Sequence, residues 1–242
     1  MAVQRFFEVG TKQLFGGVGS ILIEGYSTDR RLPDGRRVYS DGPFGGPVVD
    51  ENGVWISKLI PYGPDQGPML LRRTGPFMPP ITLPAPLTGT CVVSADFKAK
   101  IEAAGLTHSP IRYIAVEKYH ICEFRWDLWD RNNEDPDEWP DGDEPEDYID
   151  NRPHSETAAI GLGDIYEMIV PVGAQYRSVK SPTEIVGKTF LVASTWDGSH
   201  LFRAANEINP HYFRLICDEV GMKWLEDNAG GFVEFQALGT VP

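Results

Sequence analysis

The sequence predicts an α+β fold of mostly antiparallel sheets with a few short helices, arranged as two loosely similar lobes. Three observations predict it. Gly 25 and Pro 20 in 242 residues exceed ordinary usage, which favours turns and short elements over long helices. Apolar runs are short and are punctuated by Pro/Gly signals. A pattern of strand, capped helix, glycine stop and strand occurs in the middle of the chain and again at its end.

The first eighty residues read as strands and turns. Apolar runs at Arg5–Val9, Ser20–Tyr26 and Val54–Ile60 are separated by Pro33-Asp34-Gly35, Gly42-Pro43 and Gly45-Gly46-Pro47. Asn52-Gly53, between Val48-Val49 and Val54-Trp55-Ile56, is a hairpin turn signal, because both residues tolerate positive φ. Prolines exclude a central strand or helix from Gly75 to Pro80, leaving an extended connector anchored by Phe77. Cys91-Val92-Val93 then reads as a strand, and Ser94 as the N-cap of a helix with Asp96 in its first turn. Phe97 and Ile101 are one turn apart on its buried face, and Gly105 stops it. Ile111–Val116 is the returning strand.

The second half repeats the grammar. Ser155 is the N-cap of a short helix reaching Ile160, ended by Gly161 and Gly163. Ile165–Val172 and Thr189–Ala193 read as strands. Leu215-Ile216 is a strand, Cys217 or Asp218 the helix entry, and Met222, Trp224 and Leu225 its apolar face. Asn228 to Gly231 stop this helix, and Phe232–Leu238 returns. The expected division is a β-rich lobe over 1–125, an acidic connecting segment over 126–154 and an α+β lobe over 155–242.

Composition narrows the function. A net charge of -13 and a pI near 4.8 argue against nucleic acid and anionic membranes as partners, since both need clustered Lys and Arg. The opening MAVQRFFEVG lacks the charged start and apolar core of a signal peptide, and no apolar run reaches membrane-span length. Cys91, Cys122 and Cys217 are odd in number and widely spaced, which fits reduced thiols and a cytoplasmic location.

The charge is concentrated between Trp126 and Asp150, where twelve carboxylates face one base, Arg131. An ordinary acidic tail is terminal and poor in aromatics, whereas this segment is internal and carries Trp126, Trp129, Trp139 and Tyr148. Large aromatics among dense negative charge suit the capture of a basic protein. The candidate contact residues are Trp129, Asp130, Glu134, Asp135, Asp137, Glu138, Trp139, Asp141, Asp143, Glu144, Glu146, Asp147 and Tyr148.

Catalytic and metal signatures are weak, and no catalytic residue, metal ligand or cofactor is expected. There is no G-x-S-x-G elbow, and the Gly16-to-Ser20 run lacks the lysine of a phosphate loop. His120 and Cys122 share one face of a strand but read as a packed pair, since zinc needs more ligands at local spacing. Asp141-Gly142-Asp143 is rich in oxygen ligands without EF-hand spacing. Asp197, beside Trp196, is the only carboxylate with an apolar neighbour worth weighing as an acid or base; a turn aspartate before Gly198 accounts for it more simply.

Residues His200-Leu201-Phe202, Leu215-Ile216-Cys217, Leu225 to Asn228, Gly231 and Phe235 form an ending that resembles bacterial polymorphic-toxin immunity proteins. The likeness is to the eleventh immunity family and its myxobacterial double-motif relatives, and it covers about fifty residues. Val92 to Ser94, Ile101-Glu102, Gly105-Leu106 and Ile111 to Tyr113 have the same form. The paired CxxCG signatures of the myxobacterial relatives are missing. The resemblance implies a non-catalytic cytoplasmic antidote that binds and neutralises a cognate toxin with a basic surface. Two other readings stay open: a carboxylate-dependent hydrolase, and a structural or assembly protein of a phage or secretion apparatus.

Overall fold

A computed structural model describes residues 4–12, 30–40, 48–50, 52, 55–57, 67–73, 78–85, 90–123, 149–179, 188–208 and 212–242. Strand β1 (Phe6–Thr11) belongs to a closed six-stranded barrel with β12 (Val172–Val179), β13 (Lys188–Val192), β14 (Leu201–Asn206), β15 (Phe213–Asp218) and β16 (Val233–Val241), in ring order β1-β15-β14-β12-β13-β16. A second sheet runs β7 (Ile81–Ala85), β8 (Thr90–Ser94), β11 (Ile165–Ile169), β9 (Arg112–Ala115). β6 (Leu70–Arg73) pairs in parallel with β10 (Glu117–Ile121). β2 (Arg30–Arg31), β3 (Arg37–Ser40), β4 (Val48–Asp50) and β5 (Trp55–Ser57) form an antiparallel meander. The chain is thus α+β and mostly sheet, and most of its strand pairs are antiparallel.

Local signals place the helices. In α1 (Ala95–Ala104), Ser94 Oγ accepts from the Phe97 amide at 3.3 Å, and Gly105 ends the helix at φ 63°. In α2 (Glu156–Gly161), Ser155 Oγ accepts from the Ala158 amide at 3.2 Å. In α3 (Glu219–Ala229) the cap is Asp218, whose Oδ1 accepts from Val220 and Gly221 at 3.0 and 2.9 Å. The Asn52 turn joins β4 to β5 with Val49 opposite Trp55.

Both strand–helix–strand units have one topology. β8 and β9 are parallel and flank β11, which is antiparallel to each. β15 and β16 are parallel and flank β1, again antiparallel to each. The inserted strand comes from the far side of the chain in each case, so ladders cross the expected 126–154 boundary in both directions. The helices meet, with the Phe97 and Trp224 rings 5.5 Å apart. One core cluster joins Phe97, Ile101, Leu225 and Ala229 to Val9, Leu215 and Cys217 of the barrel and to Ile81, Cys91, Val93 and Met168 of the sheet.

The barrel is filled by Phe6, Ala174, Tyr176, Leu191, Phe202, Ala204 and Ile216. Successive β15 residues therefore bury on opposite faces, Ile216 inward and Leu215 and Cys217 outward, so the strand is an unbroken apolar run. The expected strand Ile165–Val172 is two strands. The chain leaves the sheet at Val170, where Pro171 has no amide for a continuing ladder, and enters the barrel at Val172. The freed carbonyls of Val170 and Pro171 accept from Arg203 Nε at 2.6 Å and the Arg203 amide at 2.9 Å. The expected strand Ser20–Tyr26, the Gly16-to-Ser20 run and Phe77 lie outside the described residues.

The other face of the second sheet packs against β6, β10 and α2 through Val92, Ile165, Met69, Leu71, Ile121, Ala159 and Leu162. Arg30 and Glu167 are buried beneath this layer, each 1% exposed, joined by Nη1–Oε2 at 2.5 Å and Nη2–Oε1 at 2.7 Å. This layer carries the base of the acidic segment.

Candidate functional site

All thirteen predicted contact residues, Trp129 through Tyr148, fall within 124–148, outside the described residues, as do Trp126 and the Asp137–Asp147 cation candidate. The limbs that flank the segment are described. The outgoing limb is β10 continued to Glu123, and the returning limb runs from Ile149 to Ser155. Asp150, which closes the acidic run, ion-pairs with Arg72 of β6.

These limbs are tied at one point. β10 lies along β6, and beyond its end the Cys122 amide donates to the Arg73 carbonyl at 3.0 Å. The Ser155 amide donates to the Ile121 carbonyl at 2.7 Å, and the Ile121 amide to His154 Nδ1 at 3.0 Å. His120 Nε2 donates to the Ile149 carbonyl at 2.8 Å. Ser155, besides capping α2, donates its hydroxyl to Glu123 Oε1 at 2.9 Å. Ile121, Cys122 and Ile149 are buried at this crossing. The acidic segment therefore starts and finishes on a hydrogen-bonded stem anchored in the core beneath β6 and α2.

His120 and Cys122 come together as a pair, with Cys122 Sγ 3.2 Å from His120 Nε2. Their chemistry is that of packing. Burial pushes the Cys122 thiol up to about 11, against the opposing pull of Arg72 and Arg152, so it stays protonated at neutral pH. His120 Nε2 faces a carbonyl, and the Nδ1 lone pair of His154 is taken by a backbone amide. Among the described residues no three His, Cys, Asp or Glu side chains gather in a way that could hold a metal ion.

A second cluster escaped sequence reading. Asp218, 1% exposed, accepts His200 Nδ1 at 2.8 Å and Gln4 Nε2 at 3.1 Å on Oδ2 while capping α3 with Oδ1. His200 and His108 line a small cavity of about 80 Å³ with Ser199 and Gly198. An aspartate orienting a histidine is a general-base geometry. Here the neighbouring Ser199 hydroxyl is only 3% exposed and accepts from the His108 amide at 3.1 Å. The pair instead ties the first described residues to the start of α3. The signal available in the sequence was Asp218 as a helix cap; the pairing with His200 comes from the approach of β14 to α3, where a Cβ on Gly221 would meet the His200 carbonyl oxygen at 2.0 Å.

Asp197 is a turn residue, as expected. Its Oδ1 accepts from the Ser199 amide at 2.9 Å across Gly198, which sits at φ 92°. A groove of about 400 Å³ along α1 is lined by Ser94, Asp96, Phe97, Lys100, Leu162 and Asn228, among others, with Asp96 the one carboxylate among its described lining residues. No helix of the described residues is long and apolar enough to cross a membrane. Compared with protein-family models, characterised proteins and solved structures, the chain matches none.

Proposed function

We propose that this chain is a non-catalytic binding protein of the immunity type, which captures and neutralises a cognate toxin through the acidic aromatic segment 126–150. The observation that supports this most directly is the stem. Eleven carboxylates with Trp126, Trp129, Trp139 and Tyr148 lie in sequence between two limbs that buried side chains and backbone bonds hold together, and Asp150 on the returning limb is the twelfth. Fixing both ends removes part of the ordering cost that a free acidic tail would meet on binding. The charge attracts a basic cleft from a distance and the aromatics supply desolvated contact area once docked. On this reading the partner is a basic toxin protein and the complex forms in the cytoplasm of the producing bacterium. We also infer that the two split strand–helix–strand units are related lobes of a duplicated ancestor.

The test is affinity capture from the native bacterium followed by a salt titration of the captured protein. A basic partner of toxin size that salt releases is the expected result. Replacing Glu144, Glu146 and Asp147 together by Gln, Gln and Asn should then slow association and flatten its salt dependence. Neutralisation with unaltered association kinetics in that triple variant would sink the acidic-segment interface.

A further inference from the structure

We propose that the stem of the acidic segment is a clasp with one acid-labile tie, the Ile121–His154 bond, which a second proton on His154 breaks. As a regulation of the binding segment it rests on the reading above; as a property of the stem it stands alone. The Ile121 amide donates to His154 Nδ1 at 3.0 Å, so this nitrogen must carry a lone pair and the ring proton must sit on Nε2. A second proton can enter only at Nδ1, where it would set an N–H against an N–H. Protonation therefore abolishes this bond and cannot merely weaken it.

Carboxylates flank the ring. The His154 side chain is 28% exposed, and Glu156 of α2 lies 3.5 Å from its Nε2. Glu123, hydrogen-bonded to Ser155, and Asp150, paired with Arg72, add carboxylates from the two limbs. Opposing charge in the stem comes from Arg72 of β6 and Arg152 of the returning limb, both of which act on Cys122. The His120 ring centroid is 6.3 Å away, but His120 behaves oppositely, because its Nε2 donates to the Ile149 carbonyl in either protonation state. Cys122 remains a neutral thiol. One of the two histidine bonds is thus compatible with a second ring proton and the other is not. With that bond lost the Ile121 amide is left open, while the Ser155–Ile121 bond and the burial of Ile149 still hold the returning limb.

Amide hydrogen exchange at Ile121, followed by NMR on the full chain without any partner and corrected for intrinsic rates, tests this. Protection at Ile121 should fall by about tenfold or more between about pH 8 and pH 5. Ser155 and Cys122, whose amides donate to carbonyls, should keep theirs. In His154→Asn the amide oxygen occupies the place of Nδ1 as an acceptor that does not titrate, so Ile121 protection should become independent of pH. Unchanged wild-type protection across that range overturns the clasp, as does an equal loss in His154→Asn. Because the readout needs no toxin, a failed clasp and a failed binding function are told apart: capture of a basic partner depends on the segment, whereas Ile121 exchange depends on the stem.

Discussion

Removing one member of the Arg30–Glu167 pair should cost the protein a large share of its stability. Both side chains are 1% exposed and meet as a two-pronged pair at 2.5 and 2.7 Å, and Arg30 Nη1 also reaches the Gly67 carbonyl at 3.3 Å. The contact joins β2 and the start of β6 to β11 in the middle of the second sheet, so it underlies the stem. In Glu167→Gln one oxygen remains for one guanidinium nitrogen, while the other faces an NH2 group and the carboxylate charge is lost. Breaking a buried pair this way costs about 3–5 kcal/mol. Against a total of roughly 5–15 kcal/mol that is about a fifth or more of what holds the fold. For a chain of this size it means a melting point lower by roughly 6–20 °C. Urea unfolding should show the midpoint falling with the slope unchanged. The double variant Arg30→Met/Glu167→Leu removes both charges and should return to within about 2 kcal/mol of the parent. A cost below about 1 kcal/mol for Glu167→Gln, or a double variant as weak as the single, would refute the argument that breaking this buried pair sets the penalty.

Two further predictions concern buried polar groups. Asp218→Ala removes the acceptor of two α3 amides, of His200 and of Gln4, and should cost about 2–4 kcal/mol from a lost cap and orphaned donors, read by chemical denaturation; a cost near zero would show that α3 does not depend on its cap. Burial raises all three thiols, Cys91 to about 12, Cys122 to about 11 and Cys217 higher still. Since the thiolate is the reactive form, all three should resist a thiol reagent at about pH 8 and react together on unfolding; rapid labelling of the folded chain would contradict their placement.

Much of the local grammar was legible in the sequence. Ser94, Ser155 and Asp218 cap helices because each needs only an amide two or three residues ahead, and Gly105 ends α1 because it alone accepts φ 63° without a side-chain penalty. Partner choice among strands was not legible. The barrel closes through the parallel pairs β12–β14 and β13–β16, and an apolar strand carries no mark that says which of its equals it will adjoin. The same limit hid the Arg30–Glu167 pair, whose members are 137 residues apart. The charge of the acidic segment was plain from composition, whereas its stem depends on how two backbone stretches meet and on which histidine nitrogen faces an amide.

The position of β1 has a consequence for the order in which the molecule can assemble. Its two neighbours are the last two strands, with Phe6 opposite both Asp218 and Leu238. During synthesis β1 is made first and must wait without its ladder while more than two hundred residues follow. The second sheet, complete by Ile169, can form while the rest of the chain is still being made, and the core it shares with the barrel stays open until α3 arrives. Closure of the ring is thus the final event, and until then Phe6, Phe7 and Val9 are an exposed apolar edge that another unfinished chain could pair with.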